Sequence, residues 1–134
     1  MRNLPDPERA KPCVLVIDDD EAVAWAIAGR LGKDFRVVGL NEPAEAVARA
    51  RDEQPDVILC DINMPGMQGD DVAFALSQDP ETAAIPLIYL TALVDAEEVP
   101  DLEGVFGDYP TVSKSATTAE LQGVIAEALG IGDD

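Results

Sequence analysis

Short runs of apolar, mostly β-branched residues alternate with longer alanine-rich stretches of helical period. This alternation constrains the fold more than any other feature of the chain. The run CVLVI at 13–17 is continuously apolar, as a strand covered on both faces must be. Residues 21–31 follow, with Val23, Ile27 and Leu31 at intervals of four on one helical face. Residues 35–40 form a second strand, Pro43 opens a second helix that continues over 44–53, and VILC at 57–60 is a third strand. A third helix over 70–78 is stopped by Asp79-Pro80. PLIYL at 86–90 is the fourth strand, 111–113 a weaker fifth, and 118–129 a last helix with Leu121, Ile125 and Leu129 on one face. Strand and helix in strict succession predict an α/β fold, a parallel sheet with helices on both faces. A fourth helix belongs within VDAEEVPDLEGVFGD, residues 94–108. Pro100, Gly104 and Gly107 interrupt it, so the pattern predicts a degraded helix of one or two turns followed by a loop.

The length suits one domain, placed at 12–130. Residues 1–11 are polar, carry Pro5 and Pro7, and read as a flexible arm; 131–134 read as a tail. No run approaches the ~18 apolar residues of a membrane helix, and no signal sequence opens the chain, so no membrane insertion and a cytoplasmic protein are expected.

Charge narrows the chemistry. The chain has 27 acidic and 9 basic residues and no histidine. Beyond Arg51 there are 18 acidic residues and a single basic one, Lys114. A surface this negative repels phosphate backbones, so direct nucleic-acid binding is not expected. Without histidine, chemistry must use carboxylates, hydroxyls, a lysine or a borrowed ion. The two cysteines, Cys13 and Cys60, are too few for a disulfide scaffold and read as buried free thiols.

In an open parallel sheet, ligands bind beyond the carboxyl ends of the strands. The residues there are Asp18, Asp19 and Asp20 after the first strand, Asp61 after the third, Thr91 and Ala92 after the fourth, and Lys114 after the fifth. Clustered carboxylates repel unless a divalent cation joins them, and Mg²⁺ prefers such oxygens. A carboxylate can attack phosphorus to give an acyl phosphate, while a hydroxyl and an ammonium bind the phosphoryl oxygens. Singly these residues have ordinary readings: a helix N-cap, a strand terminus, a solvated lysine. Their joint placement at successive strand ends is the signal.

With those residues in view, the chain resembles the CheY-like response-regulator receiver family of two-component signalling over about residues 12–130. LCDINMPGMQG at 59–69 is close to that family's phosphorylation loop. VLVIDDDE at 14–21 is similar to its first strand and acidic pair, and YLTAL at 89–93 to its fourth-strand threonine. The resemblance implies a flavodoxin-like, doubly wound five-stranded sheet of order 2-1-3-4-5. It implies a phosphoprotein with Asp61 as phosphoacceptor, Mg²⁺ or Mn²⁺ on Asp19, Asp61 and the Asn63 carbonyl, and Asp18 acting through a metal-bound water. Thr91 and Lys114 would bind the phosphoryl group, and Pro65 and Gly66 would shape the loop, Gly66 with a positive φ. The implied partners are a histidine kinase or histidine phosphotransfer protein and a downstream protein. Such a domain catalyses only its own phosphorylation and dephosphorylation and is not a metabolic enzyme. In this fold Cys13 and Cys60 lie ~13 Å apart, about four residues along parallel strands, and stay reduced.

Three departures stand out. Ser115 follows the lysine where the family usually has proline; a cis bond there would cost ~3 kcal/mol, so a different loop path is expected. Thr111 stands where the family often has an aromatic residue, with Tyr109 two positions earlier. The fourth helix is degraded. They suggest an alternative, a constitutive interaction module with the receiver fold and atypical or absent phospho-switching. A phosphohydrolase with an aspartate nucleophile would want a second acid two residues on, where Asn63 stands. Trp25 projects away from the first helix's apolar stripe; it reads either as a docking residue for the phosphodonor or as partly buried under the second strand or the arm.

Overall fold

The computed structural model describes residues 11–64, 66–92 and 109–130. Five strands, β1 (Cys13–Ile17), β2 (Arg36–Leu40), β3 (Val57–Asp61), β4 (Leu87–Thr91) and β5 (Thr111–Ser113), form one parallel sheet of order β2-β1-β3-β4-β5. Among the described residues the α-helices are α1 (Glu21–Leu31), α2 (Ala46–Glu53), α3 (Gly69–Ser77) and α4 (Thr118–Leu129). This is the flavodoxin-like order that the sequence implied. The degraded helix expected within 94–108, the arm at 1–10, the tail at 131–134 and Pro65 lie outside the described residues.

Strand pleating explains why the apolar runs are unbroken. Leu15, Ile17, Ile58, Cys60, Leu87 and Tyr89 face one layer, with Ala46 and Ala50 of α2 and Val72, Ala73 and Leu76 of α3. Val14, Val16, Val57, Leu59, Ile88 and Leu90 face the other, with Ile27 and Leu31 of α1 and Leu121 and Ile125 of α4. Two covered faces leave no position for a polar residue in β1 or in the first four residues of β3. Each fully buried aliphatic side chain contributes roughly 1.5–3 kcal/mol.

Element ends differ from the sequence expectation by a residue or two, for local reasons. Phe35 donates its N–H to the Leu31 carbonyl and closes α1, so pairing in β2 begins at Arg36. Residues Pro43–Glu45 form a 3-10 turn, with the Glu45 N–H on the Glu42 carbonyl, before α2 proper. At α4, Thr117 Oγ1 accepts from the Glu120 N–H at 3.0 Å and Glu120 Oε1 accepts from the Thr117 N–H at 2.8 Å, a reciprocal cap. Gly130, at φ 73°, closes the same helix.

Cys13 and Cys60 are both buried and free. Ile17, not Cys13, is the register partner of Cys60. Burial pushes both thiols above their ordinary range, and at Cys60 the nearby Asp61 and Asp18 charges push further. Among the described residues no helix is long and apolar enough to cross a membrane.

Candidate functional site

The carboxyl ends of β1, β3, β4 and β5 converge on one edge of the sheet. Asp18 follows β1 directly, and its N–H donates to the Leu40 carbonyl of β2 at 3.0 Å. Asp61 is the last residue of β3 and Thr91 the last of β4, each one step inside its strand rather than beyond it. The ladder accounts for this: Asp61 pairs with Leu90 and Thr91 with Ser113. Lys114 follows β5, its N–H fixed to the Thr91 carbonyl at 2.7 Å.

Side chains complete the cluster. The Lys114 ammonium lies 2.8 Å from Asp18 Oδ2 and 3.3 Å from Asp61 Oδ1. Asp18 and Asp61 are almost wholly buried, at 2% and 6% exposure, whereas Asp19 is exposed. One carboxylate oxygen from each of Asp18, Asp19 and Asp61 lies within 4.8 Å of the others. Asp18 Oδ1 accepts from the Asp20 N–H at 2.9 Å, but its buried Oδ2 accepts no hydrogen bond beyond the ion pair with Lys114. Asp20 is turned away from the cluster: it caps α1, Oδ1 accepting from the Ala22 N–H at 3.0 Å.

The electrostatics are unbalanced: one ammonium pairs with two buried carboxylates, and the exposed Asp19 carboxylate adjoins those two. Burial raises the Asp61 carboxyl above the usual range, and the Asp18 charge adds to this; Lys114 and the Asn63 backbone N–H only partly offset it. Burial opposes the charge on Lys114, yet its hydrogen bond to Asp18 and the two carboxylate charges hold its pKa above the ordinary value. Thr91 is buried at the end of β4. Asn63 is exposed in the loop after β3, where Gly66 has φ 81°.

The sequence matches a family pattern over most of the chain. Residues 14–126 match the response regulator receiver domain. The chain belongs to the response-regulator receiver family. Protein PilH of Pseudomonas aeruginosa is 38% identical over 79 residues, 58% of this chain and 65% of PilH. The DNA-binding response regulator MtrA of Mycobacterium tuberculosis is 32% identical over 123 residues, 90% of this chain and 52% of MtrA. The matched stretch therefore spans only part of each of these curated relatives. A response regulator structure from Chloroflexus aurantiacus superposes with a TM-score of 0.77 at 26% identity, covering 90% of this chain and 98% of that one. Receiver domains are signalling modules of two-component systems rather than metabolic enzymes.

In this receiver two of the departures noted in the sequence, at Ser115 and Thr111, have visible counterparts. No cis peptide occurs among the described residues, so Ser115 follows Lys114 through a trans bond. The turn is closed by the Ala116 N–H on the Ser113 carbonyl at 3.0 Å and by hydroxyls: the Ser115 N–H donates to Ser113 Oγ at 3.0 Å, and the two hydroxyl oxygens are 2.9 Å apart. Thr111 is partly buried beside Tyr89 in register, and the Tyr109 ring packs edge-on against Tyr89 at 5.6 Å. Trp25 is 84% exposed, which removes the reading of burial under β2. It stands at the lip of an open groove of about 340 Å³ that also reaches Asp18, Glu21, Val37 and Glu45. Sequence reasoning did not anticipate the Tyr89–Tyr109 pair, nor a contact of Arg30 with the turn after Lys114. A tyrosine in β4 and another two residues before β5 were a usable signal for the first; the second had none.

Proposed function

We propose that this receiver is a phosphorylation switch: Asp61 takes a phosphoryl group from a histidine kinase or histidine phosphotransfer protein, and the surface around Thr91 and Lys114 then binds a downstream protein differently. The observation that carries this reading is Lys114 seated between Asp18 and Asp61 at a buried sheet edge. A carboxylate oxygen of Asp61 attacks phosphorus, the bond from phosphorus to the donor nitrogen breaks, and its electron pair leaves with the donor imidazole. Lys114 pairs with a phosphoryl oxygen and Thr91 donates its hydroxyl to another. Hydrolysis of the acyl phosphate by water resets the chain.

The donor set fits a hard divalent ion, Mg²⁺ or Mn²⁺. Asp18, Asp19 and Asp61 offer oxygens within 4.8 Å of one another, and Asp18 Oδ2 has capacity to spare. With the Asn63 carbonyl, these residues would hold the ion, which supplies neutralisation of charge on the phosphoryl oxygens. Beryllofluoride with Mg²⁺ is the direct test. NMR shifts at Asp61, Thr91 and Lys114 are expected to move, and to return when EDTA is added. An unresponsive wild-type chain would leave the alternative, a constitutive module whose partner binds equally well with Asp61→Ala.

Trp25 is the docking candidate for the phosphodonor, because this exposed indole lines the groove that reaches Asp18. Trp25→Ala is expected to slow phosphotransfer from the partner by about tenfold or more. Labelling by acetyl phosphate, which needs no docking, should be unchanged. Equal slowing with both donors would place Trp25 in the fold rather than the interface.

A further inference from the structure

The turn that carries Lys114 is tied to the neighbouring helix α1 by the side chain of Arg30. Arg30 lies in the last turn of α1. Its Nη2 donates to the Ala116 carbonyl at 2.5 Å, and its Nε donates to Thr118 Oγ1 at 3.2 Å. Both contacts cross more than eighty residues of sequence, 86 to Ala116 and 88 to Thr118. Ala116 is two residues beyond Lys114, and Thr118 is the first residue of α4.

The restraints on Lys114 are therefore asymmetric. On its amino side, β5 and the bond from its own N–H to the Thr91 carbonyl fix the backbone. On its carboxyl side the local restraints are one backbone bond, from the Ala116 N–H to the Ser113 carbonyl at 3.0 Å, and the exposed Ser113 and Ser115 hydroxyls, where water competes. No proline limits this backbone and no cis peptide shapes it. The guanidinium donates through Nε and Nη2 in one rigid plane, which pre-organises it to hold a hydroxyl and a carbonyl together better than a flexible ammonium. Arg30 thus joins the start of α4 and the turn after Lys114 to a helix already packed on the sheet through Ile27 and Leu31.

We propose that Arg30 is a positioning residue for Lys114. By clamping the β5–α4 turn against α1, it keeps the ammonium between Asp18 and Asp61 and aimed at the phosphoryl oxygens. This rests on the phosphoacceptor reading above. Arg30 touches neither the carboxylates nor the phosphoryl group; it acts through the backbone that carries Lys114.

The test is a double-mutant cycle read by beryllofluoride affinity at saturating Mg²⁺, using the full chain with Arg30→Ala, Lys114→Ala and both together. Arg30→Ala is expected to weaken beryllofluoride binding by about tenfold, and Lys114→Ala by more. The double variant should bind no worse than Lys114→Ala alone, because the clamp has nothing left to position. Mg²⁺ affinity measured without beryllofluoride should stay within about twofold in Arg30→Ala, and Arg30→Lys should recover only part of the loss. A full, additive Arg30 penalty on the Lys114→Ala background overturns the proposal, since Arg30 would then act on the fold at large. So does wild-type affinity in Arg30→Ala. A wild-type chain that fails to bind beryllofluoride instead sinks the phosphoacceptor reading on which the clamp depends.

Discussion

Asp61→Asn is expected to abolish phosphoryl uptake and, in the same protein, to raise the melting temperature. With acetyl phosphate and Mg²⁺, intact mass should show the wild-type chain gaining one phosphoryl group while the variant falls by about a thousandfold or more in rate. The stability effect has the opposite sign because burial and the Asp18 charge raise the Asp61 pKa in the folded chain. A carboxylate raised in this way holds its proton more firmly when folded than when unfolded. Its contribution to stability is complete below the unfolded pKa and is lost as pH rises through the raised folded value. At neutral pH, without divalent ions, wild type therefore carries a buried charge that one ammonium shared with Asp18 does not fully neutralise. The neutral amide of the Asp61→Asn variant removes that charge and leaves Lys114 on Asp18. Thermal melts in EDTA should show the variant several degrees higher at pH 7, with the gap closing as pH falls into the ordinary carboxylate range. Equal melts at pH 7, or a lower one for the variant, would contradict this account of the site.

Gly69→Ala should cost about 2–3 kcal/mol of folding stability, a large fraction of what a domain of this size possesses. A Cβ at Gly69 would stand 2.7 Å from the Asp61 carbonyl oxygen, 3.0 Å from the Ile62 Cα and 3.2 Å from the Tyr89 ring. Two of these neighbours are backbone and cannot rotate away. The Gly69 N–H donates to the Ile62 carbonyl at 2.8 Å, which pins the first residue of α3 against the end of β3. Relief would have to move either α3 or the backbone of Asp61 itself. Urea unfolding should report the loss of stability, and acetyl phosphate labelling of the folded fraction should slow as well. A change below about 0.5 kcal/mol would mean that the start of α3 shifts freely, and that the close approach has no structural weight.

The sheet was legible because its strands are buried on two faces: CVLVI and VILC admit no polar residue, and such runs are hard to mistake. The ends were less so. Phe35 looks like a strand residue by composition, but its N–H is taken by Leu31, a choice made by the helix before it. The gathering of Asp18, Asp61 and Lys114 followed from topology alone, since parallel strands send their carboxyl ends to one edge. Which oxygen faces which nitrogen did not follow. The three consecutive aspartates could not be separated in the sequence; only the direction in which α1 leaves β1 makes Asp20 a cap and Asp18 a buried acid. Arg30 was invisible for a different reason. A basic residue near a helix end already has an ordinary role in pairing with exposed carbonyls, and nothing local points to Ala116.

The two thiols make the molecule its own stopwatch. Cys13 sits in the inner strand β1 and Cys60 in the central strand β3, both buried and held in their unreactive protonated form. An alkylating reagent can meet Cys60 only when the heart of the sheet comes apart, whereas Cys13, at the first position of β1, is reached by fraying. The ratio of the two labelling rates therefore separates partial opening from complete loss of structure, with no dye or engineered probe.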